Sequence, residues 1–148
     1  MGSLILLASG QVYFDTVALI YPVEKHPQYG PLLQPFWEAV KSGQVTAVTS
    51  DLTLMEVLVM PIRQGDTVLQ ADYERVLLTS DIRLLPITQE VLREAAGLRA
   101  SKLSLRTPDA LHAATAKLNG SALFITNDAG FKRIPKLATT VLDDLLTV

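Results

Sequence analysis

The sequence contains no cysteine and only two histidines among its 148 residues. A disulfide framework, a cysteine-based zinc site, an iron–sulfur cluster and a thiol nucleophile are therefore excluded. The histidines, His26 and His112, are too far apart in the chain to form a local His-x-x-x-His metal motif. The candidate groups for chemistry are therefore Asp, Glu, Ser and Thr side chains, with or without a cation that prefers oxygen ligands.

Charge is also scarce, and neither sign dominates. The chain has 13 Lys and Arg against 15 Asp and Glu, which gives a net charge of −2. This balance argues against a strongly basic surface that would hold nucleic acid through its phosphates alone. A hydrophobic fraction of 49% excludes intrinsic disorder. The length predicts a single domain over 1–148, large enough to bury its own core.

Long apolar runs are absent as well. The N-terminal run Leu4–Ala8 spans five residues, shorter than the core of a signal peptide, and no basic segment precedes it. Leu6 stands where a myristoylation motif needs Ser or Thr, and no run approaches the ~18 residues of a membrane span. We expect a soluble, cytoplasmic protein in which residues 1–11 form an N-terminal extension, native or left in part from cloning.

The sequence does contain short apolar segments that alternate with helical patterns. Strands are predicted at 12–14, 45–49, 82–85, 123–126 and 139–142. Helices are predicted at about 35–42, 52–59, 67–78, 88–102 and 109–118, with a loop over 21–35 and a last helical turn at 143–146. The strands are continuously apolar, as expected when helices cover both faces of a sheet. The pattern predicts a three-layer α/β/α sandwich around a central, mainly parallel sheet of about five strands.

Boundary residues support these assignments. Pro61 is predicted to end the helix that begins after Ser50 or Asp51. Asp66 is predicted to cap the next helix. The segment Thr107-Pro108-Asp109 offers a capping hydroxyl, a proline at the first helical position and an acid in the first turn.

Four acidic residues are predicted to converge on one edge of the sheet. Asp15 follows the first strand and Asp128 follows the fourth, and the carboxyl ends of parallel strands meet where ligands bind. Asp109 lies in the first turn of a helix that begins near this edge. Glu56 is the only ionisable residue of the helix 52–59 and shares a face with apolar residues, a costly position for an unpaired charge.

Each acid also has an interpretation without chemistry. Asp15 could cap a turn, Asp109 could satisfy helix amides, Asp128 could form an Asx turn before Gly130, and Glu56 could extend into solvent. Four separate explanations that converge on one edge are less economical than one cluster.

Because neighbouring carboxylates repel one another, such a cluster is expected to raise some of the carboxyl pKa values or to bind a cation. An all-oxygen site selects Mg²⁺ or Mn²⁺, and such an ion would give a mildly acidic protein the positive charge that an anionic phosphate substrate requires. Thr16 and Asn127 flank two of the acids and are candidates to orient a ligand or a metal-bound water.

Four stretches of the sequence together match a known family: VYFDTV (12–17), SDLTLMEVL (50–58), TPDALHAATA (107–116) and TNDAGFKR (126–133). In this order and spacing, with 140–142 as a closing strand, the chain resembles PIN-domain nucleases over residues 12 to about 145. It is most similar to the VapC-like toxins of bacterial and archaeal toxin–antitoxin pairs.

The resemblance implies a function and a set of site residues. It implies an endoribonuclease that depends on Mg²⁺, with Mn²⁺ as a substitute, and that partners with a cognate antitoxin and forms a homodimer. Asp15, Glu56, Asp109 and Asp128 would be its catalytic, metal-binding acids. Asp15 and Asp109 would bind metal directly, Asp128 would bind a second ion or act through water, and Glu56 could do either. Thr16 and Asn127 fit the family pattern, whereas Val17 departs from it, since a polar residue is usual there.

Several alternatives remain open at this stage. A non-toxin PIN nuclease in RNA processing and a PIN-like scaffold used only for binding share the fold. A receiver-like signalling domain would need paired acids after the first strand, where only Asp15 is found, and a late lysine for which Lys132 and Lys136 are poor candidates.

The roles of some other residues near these motifs are also open. His112 is either a general base or, as we favour, a packed structural residue. Three aromatic residues are either an RNA-stacking platform or, as we favour, core or partner surface: Tyr21, Phe36 and Trp37. Three cations either touch phosphate or form a solvated face: Arg99, Lys102 and Arg106.

Overall fold

The computed structural model describes residues 10–79 and 81–146 and shows alternating strands and helices. The strands are β1 (Gln11–Phe14), β2 (Thr46–Ser50), β3 (Arg83–Leu85), β4 (Leu123–Thr126) and β5 (Thr139–Val141). The helices are α1 (Val17–Val23), α2 (Tyr29–Lys41), α3 (Leu52–Gln64), α4 (Thr67–Thr79), α5 (Gln89–Ser101) and α6 (Thr107–Leu118). Short 3₁₀ helices lie at Ala129–Arg133 and Leu142–Leu145. Among the described residues, no helix is long and apolar enough to cross a membrane.

The five strands form one parallel sheet in the order β3-β2-β1-β4-β5. Alternate residues of the central strand point to opposite faces, as the two-residue period of a strand requires. Val12 and Phe14 pack in a core with residues of α1 to α4, whereas Tyr13 packs on the other face with residues of α6. The sheet is therefore covered on both sides, and the predicted α/β/α sandwich is confirmed.

Two predictions that relied on prolines as helix breakers are wrong. The predicted loop over 21–35 is largely helical, because α1 continues to Val23 and α2 begins at Tyr29. Pro31 lies in the first turn of α2, where a missing N–H costs nothing. Pro61 does not end α3, which continues one turn to Gln64 with the buried proline inside it. The helix ends instead at Gly65, whose φ of 66° is the left-handed conformation of a glycine cap.

Other boundaries differ by a few residues. Arg106 is the N-cap residue of α6, so Thr107 is its first helical residue and the predicted Thr107 cap is wrong. Leu142 starts a 3₁₀ helix rather than ending the last strand. The predicted extension over 1–11 overlaps β1 at Gln11, while residues 1–9 lie outside the described residues. The predicted Asp66 cap is confirmed, since its Oδ1 accepts the N–H of Leu69 at 3.0 Å.

Candidate active site

The four predicted carboxylates lie at the place where the strand order of the sheet reverses. From β1 the chain continues to strands on one side of the sheet, whereas β4 leads to the strand on the other side. A parallel sheet forms its ligand-binding crevice at this switch point, beyond the carboxyl ends of the strands. Asp15 follows β1 directly and Asp128 follows β4 after one intervening residue, so both lie at this crevice.

A cavity of about 360 Å³ opens at this point. All six predicted site residues line it, and they come from four separate parts of the chain: Asp15, Thr16, Glu56, Asp109, Asn127 and Asp128. Arg106 and Tyr21 complete its polar wall, and Val17 and Ile20 its apolar wall. The structure therefore brings together every residue that the sequence analysis placed in one cluster.

Asp15 is held through both carboxylate oxygens. Its Oδ1 accepts the N–H of Thr16 at 2.8 Å, and its Oδ2 accepts the hydroxyl of Thr126 at 2.8 Å. Burial raises the pKa of Asp15 despite the opposing effects of His112 and the hydrogen bond from Thr126. The Thr126 hydroxyl also accepts the N–H of Asp128 at 3.1 Å, so one side chain links two acids. The sequence analysis missed this role, although a hydroxyl between a buried strand and an acid was a visible signal.

Glu56 is oriented by two donors to the same oxygen. The hydroxyl of Thr16 and the Nε2 of His112 lie 2.8 and 2.6 Å from Oε1. Burial alone would raise the pKa of Glu56, but the hydrogen bond and charge of His112, together with the bond from Thr16, outweigh burial and lower it. Thr16 thus connects Glu56 to Asp15, through its hydroxyl and its backbone N–H respectively.

His112 is a buried link rather than a solvent-facing base. Its side chain is 1% exposed, and its Nδ1 lies 2.6 Å from the hydroxyl of Tyr13. That hydroxyl also accepts the N–H of Ser50 at 3.1 Å, and burial raises the pKa of Tyr13. The Glu56 carboxylate can only accept a hydrogen bond, so Nε2 of His112 donates to it, and the Tyr13 hydroxyl is the hydrogen-bond partner of Nδ1. The packed interpretation of His112 is confirmed, and Tyr13 is a supporting residue that sequence analysis missed.

Asp109 has its own cation. It lies in the first turn of α6, and the Nε of Arg106 is 3.1 Å from its Oδ2. The Arg106 side chain is 74% exposed, so solvent weakens this ion pair. His112 and Arg106 thus relieve part of the repulsion between the carboxylates, for which raised pKa values or a bound cation had been expected.

Asp128 and Asn127 have structural contacts besides their place in the cavity wall. Asp128 forms an Asx turn, with its Oδ1 accepting the N–H of Gly130 at 2.8 Å. A Cβ on Gly130 would come within 3.1 Å of this oxygen, which favours glycine here. Asn127 donates to the hydroxyl of Tyr21 at 3.2 Å and accepts the N–H of Asp143 at 2.8 Å, which ties the last segment of the chain to the site.

The donor set of the cavity fits a hard divalent cation. The side chains that could bind a metal ion offer oxygen atoms, and the wall carries four carboxylates and one guanidinium. Such a set suits Mg²⁺ or Mn²⁺ better than zinc. Within the described ranges, no three acidic or histidine side chains form a ready-made metal-binding group.

The sequence profile of the PIN domain matches residues 12–137. The chain belongs to the PIN-domain family. This assignment replaces the receiver-like alternative. Sequence comparison with curated proteins finds no match for this PIN domain.

Solved structures of toxin–antitoxin proteins share the fold of this PIN domain. VapBC2 from Rickettsia felis, bound to promoter DNA, has a TM-score of 0.73 at 18% identity, covering 88% of this chain and 98% of that chain. A toxin–antitoxin complex from Klebsiella pneumoniae has a TM-score of 0.65 at 24% identity, covering 88% and 97%. VapC20 from Mycobacterium tuberculosis, a toxin that cleaves the sarcin–ricin loop, has a TM-score of 0.66 at 16% identity, covering 82% and 92%.

Three other residues singled out in the sequence of this PIN domain have structural contacts: Phe36, Trp37 and Arg99. Phe36 is fully buried, and Trp37 packs edge-on against Phe14 and donates its indole N–H to the carbonyl of Ala18 at 3.1 Å. These contacts confirm the core interpretation for both rings. Arg99 donates from Nε to the carbonyl of Leu105 at 2.8 Å, so it holds the loop between α5 and α6.

Proposed function

We propose that this PIN domain is an endoribonuclease that hydrolyses RNA phosphodiester bonds with Mg²⁺, for which Mn²⁺ can substitute. The observation that supports this most directly is the cavity at the β1/β4 switch point. It gathers carboxylates from the residue after β1, from α3, from α6 and from the turn after β4. A pocket with four carboxylates beside an exposed arginine has the chemistry to bind a divalent cation and an anionic substrate together.

In this proposal, Asp15 and Asp109 bind the metal directly, and Asp128 and Glu56 act on a second ion or through water. The bound cation would polarise the phosphate and activate water. The protein's part is orientation: Thr16 and Thr126 hold both oxygens of Asp15, while Thr16 and His112 hold Glu56. Arg106 is positioned to contact a substrate phosphate once its carboxylate partner is occupied elsewhere.

We further propose that the protein is a cytoplasmic toxin that pairs with an antitoxin and forms a homodimer. The structures that share its fold include toxin–antitoxin complexes. An exposed apolar stripe on α3 also supports a protein partner, since Met55, Val59 and Ile62 follow one another at helical spacing with more than half of each side chain exposed. A non-toxin RNA-processing nuclease is the second candidate, because the same site would serve it.

Cleavage of RNA by matched variants tests the activity. Wild type is expected to cleave with Mg²⁺ or Mn²⁺ and not with EDTA, whereas Asp15→Asn and Asp109→Asn are expected to lose activity. Asp72→Asn is the matched control, since Asp72 pairs with Arg75 at the same helical spacing as Asp109 with Arg106 but on α4, outside the cavity. Metal-independent cleavage, or equal activity in the Asp15 and Asp109 variants, would refute the proposal.

Expression tests the toxin assignment separately. The wild-type chain is expected to arrest growth when expressed alone and to be harmless with the product of an adjacent small gene that copurifies with it. Harmless expression of an active nuclease without any such product would favour the RNA-processing alternative. Light scattering of the purified chain tests the homodimer.

A further inference from the structure

A second cavity, of about 290 Å³, adjoins the carboxylate cavity and shares part of its wall. Asp109, Asp128 and Arg106 line both cavities, so a ligand can extend from one into the other. The second cavity adds Lys102 and Arg133, together with Ser104, Leu105, Gly130 and Phe131. No role has been given to this space so far.

The two cavities differ in charge. The carboxylate cavity has four acids and one cation in its wall, whereas the second cavity has three cations and two acids. Within the described part of the chain, neither the Lys102 ammonium nor the Arg133 guanidinium has a hydrogen-bond or ion-pair partner. Both residues line the second cavity, Lys102 half-buried and Arg133 exposed, so their charges are available to an anion held there.

Buried contacts fix the segments that present these two cations. Lys102 caps the end of α5, and its carbonyl accepts the N–H of Leu105 at 3.0 Å. The carbonyl of Leu105 is held in turn by Arg99 at 2.8 Å. Arg133 ends a 3₁₀ helix and lies between the buried residues Phe131 and Ile134. The cations are therefore carried by ordered backbone.

We propose that Lys102 and Arg133 form a subsite for a backbone phosphate next to the one that is cleaved. This inference rests on the proposed nuclease function, because it assigns the direction in which the RNA leaves the carboxylate cavity. A strand whose scissile phosphate lies among the carboxylates has its next phosphate a short distance away, and the adjoining cavity offers two unpaired cations there. An acidic protein segment would also be attracted, but it has no reason to continue into a pocket of four carboxylates. RNA is therefore the favoured ligand.

The salt dependence of RNA binding tests the subsite. The probe is a fluorescein-labelled oligoribonucleotide that the wild-type protein cleaves at one position, with affinity measured by anisotropy in EDTA. A contact to a single-stranded phosphate contributes about 0.7 to the slope of log affinity against log salt. Lys102→Gln/Arg133→Gln removes the contacts to one phosphate, so it is expected to lower the slope by about 0.7 and to raise KM more than it lowers kcat.

The control is Lys41→Gln/Arg93→Gln, which removes the same charge from positions that line neither cavity. Lys41 ends α2 near the start of β2, at the opposite edge of the sheet, and Arg93 lies exposed on α5 near its partner Gln89. This pair is expected to leave the slope close to wild type. If the slope falls equally in the control pair, the subsite is overturned, because the loss then reflects the net charge of the protein and not a contact at these two positions.

Substrates with one uncharged methylphosphonate linkage locate the contact. Wild type is expected to lose affinity when the linkage lies next to the cleaved bond, and Lys102→Gln/Arg133→Gln is expected to be insensitive to that change. Equal sensitivity in both proteins overturns the subsite, as does a double variant that loses affinity for a copurified antitoxin but not for RNA. If wild type cleaves no RNA, the proposed function fails by itself, and binding to a series of methylphosphonate oligomers still tests the subsite.

Discussion

The most informative perturbation is Tyr13→Phe, because it removes one buried hydroxyl and keeps the ring. The Tyr13 ring is fully buried and stacks on Phe124 with centroids 5.1 Å apart, a contact that phenylalanine can keep. The hydroxyl makes hydrogen bonds to two buried groups, the backbone N–H of Ser50 and the imidazole of His112. It accepts the N–H of Ser50 at 3.1 Å and lies 2.6 Å from Nδ1 of His112.

The magnitude follows from these two contacts. Phenylalanine would leave one backbone N–H and one imidazole nitrogen buried without a partner, and each such group costs about 1–3 kcal/mol. For the two groups together, we expect the free energy of unfolding to fall by about 2–6 kcal/mol. For a chain of this length, that loss corresponds to a melting temperature lower by roughly 6–19 °C. Because His112 also holds Glu56, cleavage should fall by about tenfold or more.

Urea unfolding followed by circular dichroism measures the stability loss. Tyr73→Phe is the control, since the Tyr73 ring is equally buried but its hydroxyl bonds the exposed carboxylate of Glu24, which water can solvate instead. That variant should lose no more than about 1 kcal/mol. A double-mutant cycle that combines Tyr13→Phe with His112→Leu measures the interaction between the two side chains. The double variant should be more stable by about 1–2 kcal/mol than the sum of the two single losses predicts.

Two results would refute this reasoning. A loss below about 0.5 kcal/mol in Tyr13→Phe would mean that the buried partners are satisfied in some other way. Strict additivity in the cycle would mean that Tyr13 and His112 do not interact. Normal cleavage in a Tyr13→Phe protein that is clearly destabilised would separate the stability of the network from the orientation of Glu56.

Three further predictions concern side chains around the cavity. Gly130→Ala should push the exposed carboxylate of Asp128 aside, lowering kcat severalfold while the urea midpoint barely moves; a normal kcat would show that this carboxylate has no fixed role. Thr126→Val should cost about 1–3 kcal/mol in urea unfolding, because the buried Asp15 loses a donor, whereas Thr126→Ser should retain most of the stability. Arg106→Gln should change stability by less than about 1 kcal/mol and tighten Mn²⁺ binding up to about fivefold in calorimetric titration, since a competing cation is gone; weaker binding would contradict this.

The fold and the convergence of the acids followed from local sequence patterns, for a physical reason. Apolar strands without alternation mark a sheet covered on both faces, and the carboxyl ends of parallel strands meet at one edge. Asp15 and Asp128 were therefore placed by topology alone. The proline boundaries failed because α1, α2 and α3 contain Pro22, Pro35 and Pro61 in their interiors, and the packing of these helices in the core outweighs the intrinsic cost of the prolines.

The partners of the acids could not be predicted, because they depend on contacts between distant parts of the chain. Tyr13 and His112 are 99 positions apart, and His112 reaches Glu56 across 56 positions. In the sequence, His112 appears only as a polar residue in an apolar helix. Its burial between a tyrosine and a glutamate emerges once α6 packs on one face of the sheet.

These contacts change the electrostatic argument for a cation. Four carboxylates in one pocket were expected to have raised pKa values or to bind a cation, but the protein itself supplies two compensating groups of different character. The imidazole of His112 is buried and bonded at both nitrogens, so it holds Glu56 whether or not an ion is present. The guanidinium of Arg106 is 74% exposed and bonds Asp109 at 3.1 Å, so water can replace that bond at little cost. An incoming cation would therefore displace Arg106 rather than His112, and the displaced guanidinium would remain at the shared wall of the two cavities, where a phosphate would lie.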